Sequence, residues 1–147
     1  MKKTVLLLLT AILTISTSVT RAAEEDHAYT FGPVIILSYI RTQPGMFDEY
    51  LRYLSNTYKR IMEDAKKQGI ILDYAVYQTL PRDAQDADLI LSVKYKNMAA
   101  FDDLQARMDP LAKQLFGSLP KAATASADRE KLRKDVGSQQ IRQLILK

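Results

Sequence analysis

The sequence predicts an α+β fold, a βαββαβ two-layer sandwich in which a four-stranded antiparallel sheet carries its main helices on one side, with an extra short helix before the last strand. Three observations predict it. β-branched and aromatic runs alternate with longer stretches of helical periodicity. Two of the strand-like runs follow one another across a single polar turn, as in a hairpin. A chain of 147 residues, 47% apolar and 26% charged, suits one domain around one core.

The first strand is Val34 to Arg41 (VIILSYIR), stopped by Thr42-Gln43-Pro44-Gly45. Pro44 suits the opening of a helix, where its fixed φ fits and its missing N–H has no partner to lose. Phe47, Leu51, Leu54, Tyr58, Ile61 and Ala65 then recur at helical spacing. Asp48 and Glu49 stand early and Lys66 and Lys67 late, the order that the helix dipole favours, and Gly69 ends the run. Ile70 to Leu80 and Leu89 to Lys96 form the hairpin about the polar turn 81–88. A turn centred near Ala84-Gln85 places Ile70, Leu72, Tyr74 and Val76 on one face with Leu89, Leu91, Val93 and Tyr95. Asp73, Ala75, Tyr77 and Thr79 then share the other face with Ser92, Lys94 and Lys96, and a one-residue slip would mix the two sets. Asn97 is a candidate cap for a second helix carrying Phe101, Leu104, Met108, Leu111 and Leu115, with Pro110 expected to kink or split it. Gly117 to Pro120 closes that helix. A short charged helix is expected from Ala127 to Val136, with Leu132 and Val136 inward, and Gln140 to Lys147 is the fourth strand.

The first strand is apolar on both sides, with Val34, Ile36 and Ile40 on one and Ile35, Leu37 and Tyr39 on the other. One helical layer covers one side of a sheet. The second side therefore calls for a cover, and the simplest is another copy of the same sheet, giving a two-fold homodimer through the sheet face.

The first 22 residues read as an address and not as part of the fold. Met1-Lys2-Lys3 is basic, Val5 to Ile15 is an apolar run short for a bilayer, and Ser16 to Val19 is small and mostly polar. This is the order of a secretory signal, with cleavage expected after Ala22; the rival is an uncleaved anchor over Thr4 to Thr20. Cleavage predicts a periplasmic or secreted protein with no stable membrane insertion, a flexible mature N-terminus over 23–32 and a folded domain over 33–147. Losing Lys2, Lys3 and Arg21 from the 21 basic residues leaves 18 against 17 acidic ones. A nearly neutral chain lacks the basic footprint of a nucleic-acid binder. The absence of Cys removes thiolate chemistry, zinc-thiolate sites and iron–sulfur clusters.

Two motifs carry a family resemblance. Arg41-Thr42-Gln43-Pro44-Gly45 followed by Met46-Phe47-Asp48-Glu49-Tyr50-Leu51 resembles the strand-to-helix opening of the dimeric α/β-barrel superfamily, whose subunits have the ferredoxin-like fold and which includes antibiotic-biosynthesis monooxygenases. Tyr95-Lys96-Asn97-Met98-Ala99-Ala100-Phe101 resembles the corresponding passage of its second half, and Phe47-Asp48-Glu49 is echoed by Phe101-Asp102-Asp103. The resemblance spans roughly Gly32 to Lys147. It implies a ligand cavity between sheet and helices and admits cofactor-independent monooxygenases, haem-binding enzymes and isomerases, so it selects no single activity.

The residues themselves narrow the chemistry. Haem weakens because its common ligand is His, and His27, the single histidine, precedes the first strand. His-based metal sites and Ser-His or Cys-His nucleophiles weaken for the same reason, so no cofactor or metal is expected. A cofactor-free site needs a dry pocket and a few polar groups. Tyr39, Tyr74 and Tyr95 on the strands and Tyr58 on the first helix are the candidate ligand-binding side chains, against the alternative that they simply pack in the core. Arg41, at the end of the first strand, is placed either to orient an anionic ligand at the pocket mouth or to pair with Asp48 or Glu49. Asp73, Lys94 and Lys96 read as cross-strand charge neighbours. Arg129, Lys131, Arg133 and Lys134 alternate with Asp128, Glu130 and Asp135 and read as a solvated helix face. The function expected is binding of a small apolar or aromatic molecule by an exported homodimer, with a cofactor-independent monooxygenase or isomerase acting on a quinol-like compound as the alternative.

Overall fold

The computed structural model describes residues 27–83 and 85–147. The expected leader and its cleavage point after Ala22 lie outside the described residues. Four strands, β1 (Tyr29–Thr42), β2 (Asp73–Gln78), β3 (Leu89–Tyr95) and β4 (Arg133–Leu146), form one antiparallel sheet in the order β2-β3-β1-β4. With helices between β1 and β2 and between β3 and β4, this is the βαββαβ topology of the ferredoxin-like fold.

The expected faces are those observed. Tyr74 pairs with Val93 and Val76 with Leu91, while Ile36 pairs with Val93 and Ile40 with Leu89. This face meets the helices, and Val34, Ile40 and Leu89 are almost fully buried in it. Ile35, Leu37, Tyr39, Ile90 and Tyr77 lie on the opposite face, which no helix among the described residues covers.

β1 begins at Tyr29, ahead of the expected Val34, so residues 29–32 of the segment expected to be flexible belong to the sheet. Tyr29, Thr30 and Phe31 pair with Leu146, Ile145 and Leu144, and the register then shifts by one residue before Val34. Gly32 sits at that bulge, and a Cβ there would come within 3.1 Å of the Gln143 side chain, so the chain passes too close for any larger residue without adjustment. Because β3 pairs with β1 only from Val34 onward, the first residues of β1 and the last of β4 form a two-stranded ribbon beyond the rest of the sheet.

The first helix is not uniform. α1 (Phe47–Tyr53) passes into a π turn (Leu54–Tyr58) and resumes as α2 (Lys59–Lys67), and the Lys59 N–H donates to the Leu54 carbonyl five residues back. Periodicity alone does not reveal one accommodated extra residue. Pro44 and Gly45 form a turn before the helix, and Gly69, at φ +68°, ends α2 in the left-handed conformation that L-residues avoid.

The second half departs further from expectation. Asn97 leads a single 3₁₀ turn (Met98–Phe101) without a side-chain cap, and α3 (Leu104–Phe116) starts separately after Asp103. Pro110 lies inside α3 and does not split it. The short helix expected over Ala127 to Val136 is instead α4 (Leu119–Asp128), followed by a 3₁₀ turn (Arg129–Lys131). Ser118 caps α4, its Oγ accepting from the Lys121 N–H at 3.3 Å, and Pro120 sits in the first turn. Ser118-Leu119-Pro120 thus opens a helix where it was expected to close one, and the Ala-rich run behind it has the higher helix propensity. Residues 133–136 belong to β4, which bulges between its pairings with Tyr39 and Ile40.

Two groups of buried side chains hold the layers together: Ile40, Tyr50, Leu54 and Leu89 at one end, and Ala65, Ile70, Ile71 and Leu111 at the other.

Candidate functional site

The π turn moves Thr57 and Tyr58 to the junction between the first helix and α4, where a cavity of about 270 Å³ opens. Its near wall is Tyr53, Thr57 and Tyr58, continued along α2 by Ile61 and Met62. Phe116 from the end of α3, Ala122 and Ser126 from α4, and Arg129 from the following 3₁₀ turn close the far side. A second hollow of about 400 Å³ shares Tyr53, Thr57, Phe116 and Arg129 with the first. On the sheet side a smaller one of about 170 Å³ lies between the bulged helix and β2, walled by Leu54, Tyr58, Tyr74 and Val76 among others. Tyr58 thus stands between a hollow within the helical layer and one beneath it.

The tyrosine environments differ. The Tyr58 hydroxyl is buried and has no hydrogen-bond partner among the described residues. Burial drives its pKa far above the ordinary phenol value, and Tyr50, Tyr95 and Tyr74 push it the same way, because a phenolate there would lose water and gain no counter-charge. Tyr74 packs edge-on against Tyr58, with centroids 5.9 Å apart, and donates to Glu63 Oε1 at 2.7 Å. Desolvation and that carboxylate raise its pKa to about 12. Tyr95 leans on the Phe101 ring at 4.7 Å, and burial raises its pKa as well. These phenols stay protonated at neutral pH, which makes them hydrogen-bond donors and poor bases.

Of the five candidate residues, Tyr58 and Tyr74 come together, and Tyr95 lies on the same side of the sheet. Tyr39 and Arg41 do not join them. Tyr39 is on the uncovered sheet face and donates to Gln139 Oε1 at 3.1 Å, because strand alternation sends it opposite to Ile40. Arg41 donates to the Asp86 carbonyl at 2.6 Å and the Asp83 carbonyl at 3.3 Å, tying the β2–β3 turn to the end of β1. It pairs with neither Asp48 nor Glu49; Glu49 holds Arg52 at 2.6 Å. Asp88 fixes the same corner by accepting from the Thr42 N–H at 3.0 Å and from the Thr42 hydroxyl.

The residues that the sequence pattern hid are arginines. Arg129 is half-buried, donating from Nη1 to the Tyr53 hydroxyl at 3.2 Å and from Nη2 to Ser126 Oγ at 2.8 Å, with its guanidinium 5.7 Å from the Tyr53 ring centre. Arg133 is 8% exposed at the start of β4, with Glu130 and Asp135 at 3.6 and 3.4 Å. Both lower the pKa of the buried Tyr50, which desolvation nonetheless raises to about 12. The expectation of a solvated helix face fails for these two because a 3₁₀ turn and a strand, and not one continuous helix, carry them inward. Among the described residues, no group of three or more His, Asp or Glu side chains is placed to hold a metal ion, and no helix is long and apolar enough to cross a membrane.

The fold and the cavity together define a ferredoxin-like α+β sandwich with an uncovered sheet face and an apolar, arginine-walled hollow in its helical layer. Solved structures of this fold resemble the chain. HapK from Hahella chejuensis matches with a TM-score of 0.52 and 14% identity over 75% of this chain and 91% of that one. Protein SO0527 from Shewanella oneidensis matches with a TM-score of 0.51 and 12% identity over 80% of this chain and 98% of that one. A protein from Bacteroides fragilis, described as dimeric, of unknown function and of ferredoxin-like fold, aligns at 11% identity and a TM-score of 0.41 over 78% and 98%. At these identities the likeness is one of fold. No family model and no curated protein matches the sequence.

Proposed function

We propose that the protein is an exported homodimer that binds a small, largely apolar or aromatic molecule in the cavity walled by Tyr58 and Phe116. The observation that carries this reading is the hollow itself: about 270 Å³, lined mainly by apolar groups, with the Tyr58 and Phe116 side chains in its wall. Concave, mostly apolar sites with a few polar groups are where proteins take small ligands. The expected sheet–helix location is only partly met, since the 270 Å³ hollow lies between the bulged helix and α4 and the one between helix and sheet has about 170 Å³.

The uncovered sheet face supports the dimer. Leu37, Tyr39 and Ile90 lie side by side on it, and Ile141 beside Ile35 is 39% exposed. A second sheet packed face to face would bury these residues, and a specific contact needs roughly 1,000 Å² or more. Export rests on the order of basic, apolar and small residues over positions 1–22.

Binding stands ahead of turnover because the tyrosines are held neutral and the 270 Å³ hollow has no carboxylate or imidazole in its lining to take a proton. Oxygen uptake with a quinol panel tests the monooxygenase alternative: turnover abolished by Tyr58→Phe would reverse this order. The direct test is native mass spectrometry of the mature chain purified without added ligand. A dimer with a reproducible small-molecule adduct is expected, and Ala122→Trp, which fills the cavity, should remove the adduct and spare the dimer. An adduct that survives A122W, or a bare monomer, refutes the corresponding half of the reading.

A further inference from the structure

The Arg129 guanidinium is the feature that the small-ligand reading leaves unexplained. Its two hydrogen-bond acceptors, the Tyr53 and Ser126 hydroxyls, are neutral, and its Nε is buried with no acceptor. The carboxylates next to it in sequence are engaged elsewhere: Asp128 holds Lys131 at 2.6 Å, and Glu130 lies 3.6 Å from Arg133. Among the described residues no carboxylate forms an ion pair with Arg129. A half-buried cation without a counter-charge is costly, and here it stands in the wall of a cavity.

Ile61, Met62, Phe116 and Ala122 make much of the remaining wall apolar, beside the hydroxyl-bearing Thr57 and Ser126. Tyr53 stacks against Tyr50 at 6.0 Å and, with Ser126, holds the guanidinium by hydrogen bonds, so the cation is fixed in place before any ligand arrives. The other charged groups nearby, Asp128 and Lys131, border the adjoining hollow and neutralise each other.

Building on the small-ligand reading, we propose that the cavity selects organic anions: a flat apolar body against Ile61, Met62 and Phe116, with a carboxylate head held by Arg129. A planar guanidinium matches a carboxylate with paired N–H donors, and one such charge-assisted contact in a sheltered site is worth about tenfold in affinity.

Isothermal titration calorimetry of the mature protein with 2-naphthoate and with the uncharged 2-naphthamide tests this, because the two share a body and differ in charge. Naphthoate is expected to bind about tenfold more tightly, and Arg129→Gln to remove that preference by weakening naphthoate about tenfold more than it weakens naphthamide. Arg129→Lys should keep part of the preference. If R129Q loosens α4, seen as a lowered melting temperature by circular dichroism, the decision passes to the wild-type ratio and to R129K. Equal affinity for the two probes, or a preference that survives R129Q in a folded protein, overturns the anion assignment and leaves the cavity as a binding site. Binding of neither probe overturns both.

Discussion

Replacing Tyr58 by Phe should stabilise this protein, against the usual direction for losing a buried tyrosine hydroxyl. The Tyr58 oxygen is sealed from water and has no hydrogen-bond partner, so folding strips its hydration and returns nothing. A buried polar group left in that state costs about 1–3 kcal/mol, and Phe removes the oxygen while keeping the ring. We expect a gain of about 1 kcal/mol. Tyr74→Phe supplies the contrast in the same aromatic pair. Its hydroxyl donates to the Glu63 carboxylate at 2.7 Å, and because both residues are only half-buried, water compensates part of the loss, leaving a cost of about 1 kcal/mol. The two substitutions should therefore separate by about 2 kcal/mol in opposite directions from the wild type. In urea, with a slope of about 1–3 kcal/mol per molar, that separation is about 1 M in midpoint. Equal destabilisation by Y58F and Y74F would refute the reasoning, because it would mean that the Tyr58 hydroxyl makes a bond in the free protein.

Leu89 is 1% exposed between Ile40, Tyr50 and Leu54, so Leu89→Ala should cost about 2–5 kcal/mol in the same urea titration, and a loss below about 1 kcal/mol would contradict the core assignment. Tyr50 and Tyr74 have pKa values raised to about 12 from an ordinary 10, so the folded state holds protons that the unfolded state releases. Stability from this source is whole below pH 10 and falls as the pH rises from 10 to 12; urea midpoints measured alongside tyrosinate absorbance should show the decline, and a flat profile would refute it. Leu37→Asp places a charge in the middle of the uncovered sheet face opposite Ser92 and should convert a dimer to a folded monomer in analytical ultracentrifugation, whereas an unchanged dimer would move the interface elsewhere.

Strand positions, hairpin register and the two faces of the sheet are legible in the sequence because each depends on local alternation: Tyr74 and Val76 had to share a side with Leu91 and Val93 or the apolar set would scatter. The same alternation showed β1 to be apolar on both sides and so pointed to an uncovered face. It also placed Tyr39 opposite Ile40, which is why Tyr39 never reaches the cavity. The boundaries before β4 were harder, since Ser118-Leu119-Pro120 carries signals for both the end of one helix and the start of the next, and the choice depends on how α4 packs against α3.

The site itself is a product of contacts between distant segments. The π turn has no periodic signature, because one accommodated residue leaves the apolar spacing on either side intact, yet it sets Thr57 and Tyr58 in the cavity wall. Arg129 lies among alternating charges that resemble a solvated face, and it is held inward by Tyr53, 76 residues earlier in the chain. Periodicity reports which side of its own element a residue occupies. Whether that side meets water, a cavity or another layer is settled by the packing of elements far apart in sequence, and for Tyr58 and Arg129 that packing brought both side chains into the wall of one cavity.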